Sequence, residues 1–126
     1  MADAGKPCMA NFKSDGGFWK GEMFRTYQEF TGVDKAKAFE QILQSILSTP
    51  NMVITSSSKE TGTISGQGSF SPVLGGAPKP APLGVSFKDL PSGSFGVNIQ
   101  FNVPSGTVAK KKMVQEEFCT ILDSAL

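Results

Sequence analysis

Acid-base chemistry in this chain would have to come from carboxylates and lysines, because the 126 residues include no histidine. Histidine is the commonest general base and the commonest metal ligand, so its absence excludes serine and cysteine triads and argues against a metal site. The candidate bases are Glu29, Glu60 and Asp89, but no spacing pairs any two of them. The sequence therefore predicts a protein that is not an enzyme and needs no cofactor, with a carboxylate and lysine enzyme as the weakest alternative.

The two cysteines, Cys8 and Cys119, lie far apart and lack the close spacing of zinc or redox motifs. Cys119 falls among apolar residues of a predicted helix, where a free cysteine packs as a small hydrophobic residue, and this interpretation is favoured. In an oxidising compartment the pair could instead form a disulfide. Closing so long a loop would stabilise the fold by about 4 to 5 kcal/mol in the entropic model.

Two groups of polar residues are candidate binding sites. Asn98, Gln100 and Asn102 alternate with apolar residues along the clearest strand pattern, residues 95–103, and so occupy its solvent face. The other group is the basic run Lys110, Lys111 and Lys112 at the start of the last predicted helix. Three cations there oppose the helix dipole, which suits an anion or an acidic partner, although a solvated face is the simpler interpretation.

Gly66 and Gly68 lie two apart on one face of a predicted strand, which leaves that face without side chains. A bulge, a helix or a ligand can then approach the backbone closely. A phosphate cradle is disfavoured because no glycine fingerprint and no following Lys-Ser/Thr pair are present. Residues 71–82 contain four prolines and a Gly-Gly pair, which predicts a long loop with a stiff, extended end.

The elements that must position these residues follow from hydrophobic periodicity. Residues 1–20 predict an irregular N-terminal arm whose second half, with three large aromatic rings, packs on the domain or docks on a partner. Residues 21–126 predict one domain. Its predicted elements are a strand at 22–30, a helix from the Asp34 cap to about Ser48, strands at 51–58, 63–70, 83–88 and 95–103, and a helix after Thr107.

Each predicted helix has one apolar stripe and the best strand has one apolar face. The helix stripes are Phe39, Ile42, Leu43, Ile46 and Leu47 in the first and Val114, Phe118, Ile121, Leu122 and Ala125 in the second. The fold class is therefore α+β, a two-layer sandwich of about five antiparallel strands in the order β-α-β-β-β-β-α, with both helices on one face.

Four stretches carry a resemblance to a known group: residues 38–47, 53–55, 62–68 with its Gly-x-Ile-x-Gly pattern, and 84–89. Together, residues 22–126 resemble small bacterial envelope domains of unknown function with TATA-binding-protein-like or helix-grip topology, broadly similar to domains of the β-barrel-assembly lipoproteins. The proline-rich segment and the absence of a clear lipoprotein cysteine depart from that pattern. The resemblance implies an α+β domain in the periplasm or cell envelope and carries over no catalytic residue.

The amino-acid composition limits which classes of partner the chain can bind, and nucleic acid is not expected among them. With a net charge of +1, 39% hydrophobic and 18% charged residues, the chain differs from nucleic-acid arms, coiled coils and acidic disordered tails. No apolar run approaches the ~18 residues of a membrane span. Residues 1–6 could replace a removed leader, and the sequence leaves this open. The sequence favours a binding or assembly module of the bacterial envelope with a protein partner; the alternative is a carrier of a lipid or small apolar ligand between helix and sheet.

Overall fold

The computed structural model describes residues 6–126, and its centre is one antiparallel sheet of six strands in the order β1-β2-β6-β5-β4-β3. The strands are β1 Lys13–Gly17, β2 Gly21–Phe30, β3 Val53–Ser58, β4 Thr63–Phe70, β5 Lys79–Asp89 and β6 Phe95–Val103. The helices are α1 Pro7–Ala10, α2 Lys35–Leu47 and α3 Lys111–Asp123, with a short 3₁₀ turn at Pro91–Gly93. All three helices pack on the sheet, which confirms the predicted α+β sandwich.

The core lies between the helices and one face of the sheet. Strict alternation puts the apolar residues of β6 on this face, in register with those of β2 and β5: Phe101, for example, lies between Phe24 and Leu83. The helices therefore cover one face of the sheet, as the sequence predicts. The opposite face carries no helix and exposes polar residues such as Asn98 and Gln100.

Helix α2 forms where its cap and stripe predict it. The Asp34 carboxylate accepts a hydrogen bond from the Ala36 amide at 3.2 Å, which satisfies one of the free donors of the first turn. Ala38, Phe39, Ile42 and Ile46 are buried. Leu47, predicted to continue the stripe, is instead 51% exposed, because the helix ends there.

The structure corrects the prediction of an irregular arm over residues 1–20. Residues 1–5 lie outside the described chain, but residues 6–20 contain α1 and the edge strand β1, which pairs with β2 from Lys13 opposite Arg25 to Gly17 opposite Gly21. The sequence pattern missed β1 because this strand has no apolar alternation and exists only through its pairing. Phe12, which precedes it, packs on Phe24 and Phe118 with ring centroids 5.8 Å apart in each pair.

The proline-rich loop is also shorter than predicted. Strand β5 begins at Lys79, so Pro80 and Pro82 belong to it and pair with β4 opposite Ser69 and Gln67. Prolines are tolerated there because the β5–β6 ladder starts only at Leu83. The missing proline N–H groups therefore interrupt no ladder on that side. The loop proper covers residues 71–78.

Helix α3 has its predicted stripe but a different start. Phe118, Ile121, Leu122 and Ala125 are buried, and Val114 is half-buried. Thr107 does not cap the helix, because it lies four residues before α3 begins at Lys111. Its hydroxyl donates instead to the Pro104 carbonyl. A disulfide between Cys8 and Cys119 ties α1 to α3, so the structure contains the bonded alternative rather than two free thiols.

Candidate functional site

A cavity of about 490 Å³ lies at one end of the core, between α2, α3 and the sheet, and we call it the main cavity because its lining is mainly apolar. The C-terminal part of α2 and the start of α3 form two of its walls. Its lining is mainly apolar, with Ile46, Met52, Phe70, Leu83, Phe101, Val114, Phe118 and Ile121 among the contributing residues. The volume lies within the usual range for small-ligand sites.

The cavity has room because the core-facing side of β4 carries glycine instead of a larger residue at this end of the strand. Gly68 lines the cavity, and a methyl group added there would lie 3.5 Å from Met52 Cε and 3.7 Å from the Phe101 ring. A methyl group added at Gly66 would lie 3.7 Å from Met52 Sδ and 3.0 Å from the Val53 carbonyl oxygen. Met52, an unbranched and adaptable side chain, thus lies across both glycines. Of the bare strand face predicted from the sequence, Gly68 lies at the floor of this cavity, whereas Gly66 is covered by Met52 and the Val53 carbonyl.

The polar groups of the cavity lie at its rim. The Thr49 hydroxyl, just after α2, lies 3.1 Å from Glu117 Oε1 of α3 and 3.0 Å from the Ser45 carbonyl oxygen. Lys110 also lines the rim and is exposed. The polar side chains of the lining are one cation, one carboxylate, two hydroxyls and one amide, from Lys110, Glu117, Thr49, Ser69 and Asn51, beside a mainly apolar interior.

The basic run is divided between the cavity and the surface. Lys110 lines the rim, whereas Lys111 and Lys112 are exposed on the first turn of α3. Among the described residues, no acidic side chain lies in that first turn.

The three predicted sheet-face residues come together on the helix-free face. Asn98, Gln100 and Asn102 line an open concavity of about 540 Å³ with Arg25 and Ser86. Gly84 lies at its centre opposite Gln100 and has open space above it. The concavity is separated from the main cavity by the whole sheet.

The structure keeps the three candidate bases apart. Glu29 accepts a hydrogen bond from the Tyr27 hydroxyl at 3.1 Å, and Asp89 pairs with Lys35 at 2.7 Å. The pKa of Tyr27 is raised, mainly because the hydroxyl is partly desolvated and secondly because it donates this hydrogen bond to Glu29. Glu60 lies exposed in the turn between β3 and β4. In residues 6–126 no group of three or more cysteine and acidic side chains is placed to hold a metal ion.

Sequence reasoning did not identify most of the cavity. Met52, Phe70, Val108 and Met113 come from four separate segments and were not candidates. The sequence did single out Gly68 from the bare strand face, Lys110 from the basic run, and four lining residues from the helix stripes, namely Ile46, Val114, Phe118 and Ile121. The convergence of the other residues depends on tertiary packing alone.

Known proteins similar to this chain do not indicate its function. No protein-family model and no curated protein matches the chain. A solved structure titled "Crystal structure of Ara h 8.0201" is similar over 82% of this chain and 97% of that chain, with 11% identity and a TM-score of 0.38. Similarity at that level transfers no function, and the site is interpreted from its own geometry.

Proposed function

We propose that this protein is a non-catalytic carrier of a small apolar molecule, which it holds between α2, α3 and the sheet. The observation that supports this proposal is the cavity of about 490 Å³ with its mainly apolar walls and glycine floor. Binding sites for small molecules are typically concave, several hundred Å³ in volume and lined mainly by apolar side chains, so this open cavity favours a ligand site.

The lining indicates the ligand class. Phe70, Leu83, Phe101 and Phe118 offer only apolar surface, whereas Lys110 and Thr49 lie at the open rim. An amphiphile with an apolar body and an anionic end would place its body among the rings and its charge near the Lys110 ammonium group. A lipid or a fatty-acid-like molecule has this chemistry.

The proposed location is the periplasm or cell envelope of a bacterium. Supporting it is the buried disulfide between Cys8 and Cys119, because such bonds persist in oxidising compartments. Within residues 6–126, none of the helices has the length and apolar character needed to cross a membrane. A carrier acting between membranes would work in such a compartment.

Filling the floor of the cavity tests the proposal. In Gly68→Leu the new side chain occupies the space beneath Met52, whereas Gly84→Leu adds the same atoms to the open, helix-free face of the neighbouring strand. We expect Gly68→Leu to lose binding of a fluorescent fatty-acid probe and Gly84→Leu to retain it. Gly68→Ala, whose methyl group fits at ordinary contact distance, should weaken binding less.

Two measurements keep this test decisive. Circular dichroism and thermal unfolding establish that each variant is folded, and native mass spectrometry of protein purified gently from its own host reports any bound molecule. If the wild-type protein takes up no probe and carries no extra mass, or if both leucine variants bind equally, the carrier proposal is wrong.

A further inference from the structure

Exposed apolar side chains gather at the cavity end of the molecule. Five of the eight large hydrophobic side chains that are exposed in the described chain lie on three segments, namely the turn at 17–21, the loop at 71–79 and residues 104–113. These five are Trp19, Val73, Leu74, Val108 and Met113, and Trp19 and Leu74 are 78% and 81% exposed. We call the three segments together the loop surface.

Backbone hydrogen bonds join the three segments at one residue. The Gly106 amide donates to the Phe18 carbonyl at 2.8 Å, and the Gly106 carbonyl accepts from the Val73 amide at 2.8 Å. Lys79 adds a bond from its ammonium group to the Ser105 carbonyl at 3.0 Å. The exposed apolar residues of the loop surface are therefore held as one neighbourhood.

The loop surface is also where the positive charge of the chain concentrates. It contains five of the 12 basic residues, Lys20, Lys79, Lys110, Lys111 and Lys112, and none of the 11 acidic residues. The remaining chain has seven basic and eleven acidic residues, a net charge of −4 against +5 on the loop surface. The near-neutral total charge does not reveal this local excess of basic residues on the loop surface.

The loop surface is continuous with the cavity rim. Val108, Lys110 and Met113 belong to both, and Val108 and Met113 are 61% and 62% exposed although they line the cavity. A partner seated on the loop surface would thus touch the cavity opening.

We propose that the loop surface docks on an anionic lipid bilayer, so that the cavity opens towards the membrane from which its ligand comes. This inference deepens the proposed carrier function and rests on it. Exposed Trp and Leu side chains enter the headgroup boundary of a bilayer, and a cluster of lysines adds attraction to anionic lipids. The acidic remainder of the molecule is repelled by the same surface, which orients the protein with its rim towards the membrane.

Flotation with lipid vesicles tests the docking. The wild-type chain should float with vesicles of phosphatidylcholine mixed equally with phosphatidylglycerol, and much less with phosphatidylcholine alone. Trp19→Ser/Leu74→Ser should lose this binding, whereas Leu126→Ser, which removes an exposed apolar side chain beyond the far end of α3, should keep it.

The charge test uses lysines outside the cavity lining. Lys20→Gln/Lys111→Gln/Lys112→Gln should lower vesicle affinity by about 100-fold, since each lysine at an anionic surface contributes about fivefold. The control Lys13→Gln/Lys37→Gln/Lys88→Gln removes the same charge from other elements and should retain most of the affinity.

The outcomes separate docking from ligand binding. Wild-type protein that fails to float with the anionic vesicles, or variants and controls that float equally, would overturn the docking proposal. Probe uptake without vesicles is measured on the same variants and should be unchanged, because neither loop-surface variant alters a residue of the cavity lining. A chain that floats but takes up no probe would leave docking standing and refute the carrier function.

Discussion

Two polar side chains are buried on the core face of β2, and only one of them has all its buried polar atoms hydrogen-bonded. Thr26 is buried on the core face of β2, and its hydroxyl donates to the Cys8 carbonyl at 2.8 Å. Gln28, two residues later on the same face, is 8% exposed, and its side-chain oxygen has no hydrogen-bond partner in the described chain. An unmade bond of this kind costs about 1 to 3 kcal/mol.

Replacing this glutamine with an apolar side chain of similar length should therefore stabilise the fold. We expect Gln28→Met to raise the free energy of unfolding by about 1 kcal/mol, because the unsatisfied oxygen is removed and the volume is kept. Urea denaturation followed by circular dichroism measures the change. Thr26→Val is the matched control and should be destabilising, since it leaves the Cys8 carbonyl without its donor; an equal gain in both variants would contradict the argument.

At the scale of elements, α1 and α3 are held by different means from α2. Helix α2 has a cap and a long buried stripe, whereas α1 has four residues and depends on its disulfide to α3 and on contacts with β2. Helix α3 begins at Lys111 after Lys110, which supplies no side-chain cap. The first turn of α3 therefore lacks the stabilising side-chain hydrogen bond that α2 receives from Asp34.

Removal of the disulfide tests how α1 is held. Cys8→Ala/Cys119→Ala should lose about 4 to 5 kcal/mol of stability in the entropic model, because the bond closes a loop with a sequence separation of 111. Wild-type protein unfolded with and without reductant should show a matching shift, and the double variant should show none. A wild-type stability that is indifferent to reductant would contradict the expectation.

A cap at the start of α3 should stabilise that helix. Lys110→Ser is expected to raise the free energy of unfolding by about 1 kcal/mol, because a serine hydroxyl accepts a bond from the first turn and a cation is removed from the positive end of the dipole. Lys112→Ser makes the same change inside the helix, where serine forms helix less readily than lysine. Thermal unfolding that ranks the two variants in the opposite order would refute this account.

At the scale of the whole molecule, the sheet separates two surfaces with different chemistry. One side has the helices, the apolar cavity and the basic loop surface, and the other has a polar face with the concavity around Gly84. Asn98 and Gln100 are exposed and Asn102 is half-buried on this face, and all three stay predicted candidates for binding a protein partner.

The triple change Asn98→Ala/Gln100→Ala/Asn102→Ala tests this polar face. Exposed substitutions of this kind alter stability by about 0.5 kcal/mol or less each, so the fold should persist. We expect capture of a partner from an envelope extract to be lost while uptake of the fatty-acid probe is unchanged. Capture that is equal for variant and wild type would show that the polar face is not the binding surface.

Local patterns in the sequence determined the elements with strong periodicity. Strand β6 and the apolar stripe of α3 follow directly from alternation and from i, i+3, i+4 spacing, and the Asp34 cap marks the start of α2. The same local logic identified the bare glycine face of β4 and the exposed side of β6, because period-2 geometry assigns each residue to a face.

Only the tertiary structure decided what depends on contacts distant in sequence. Strand β1 has no pattern of its own and forms by pairing with β2, and the prolines of β5 are accepted because the ladder to β6 starts beyond them. The pairing of Cys8 with Cys119, the cavity over Gly68 and the joining of three loops at Gly106 likewise bring separate segments together. Periodicity reports which way a side chain points, whereas the residue that it meets is set by how the elements pack.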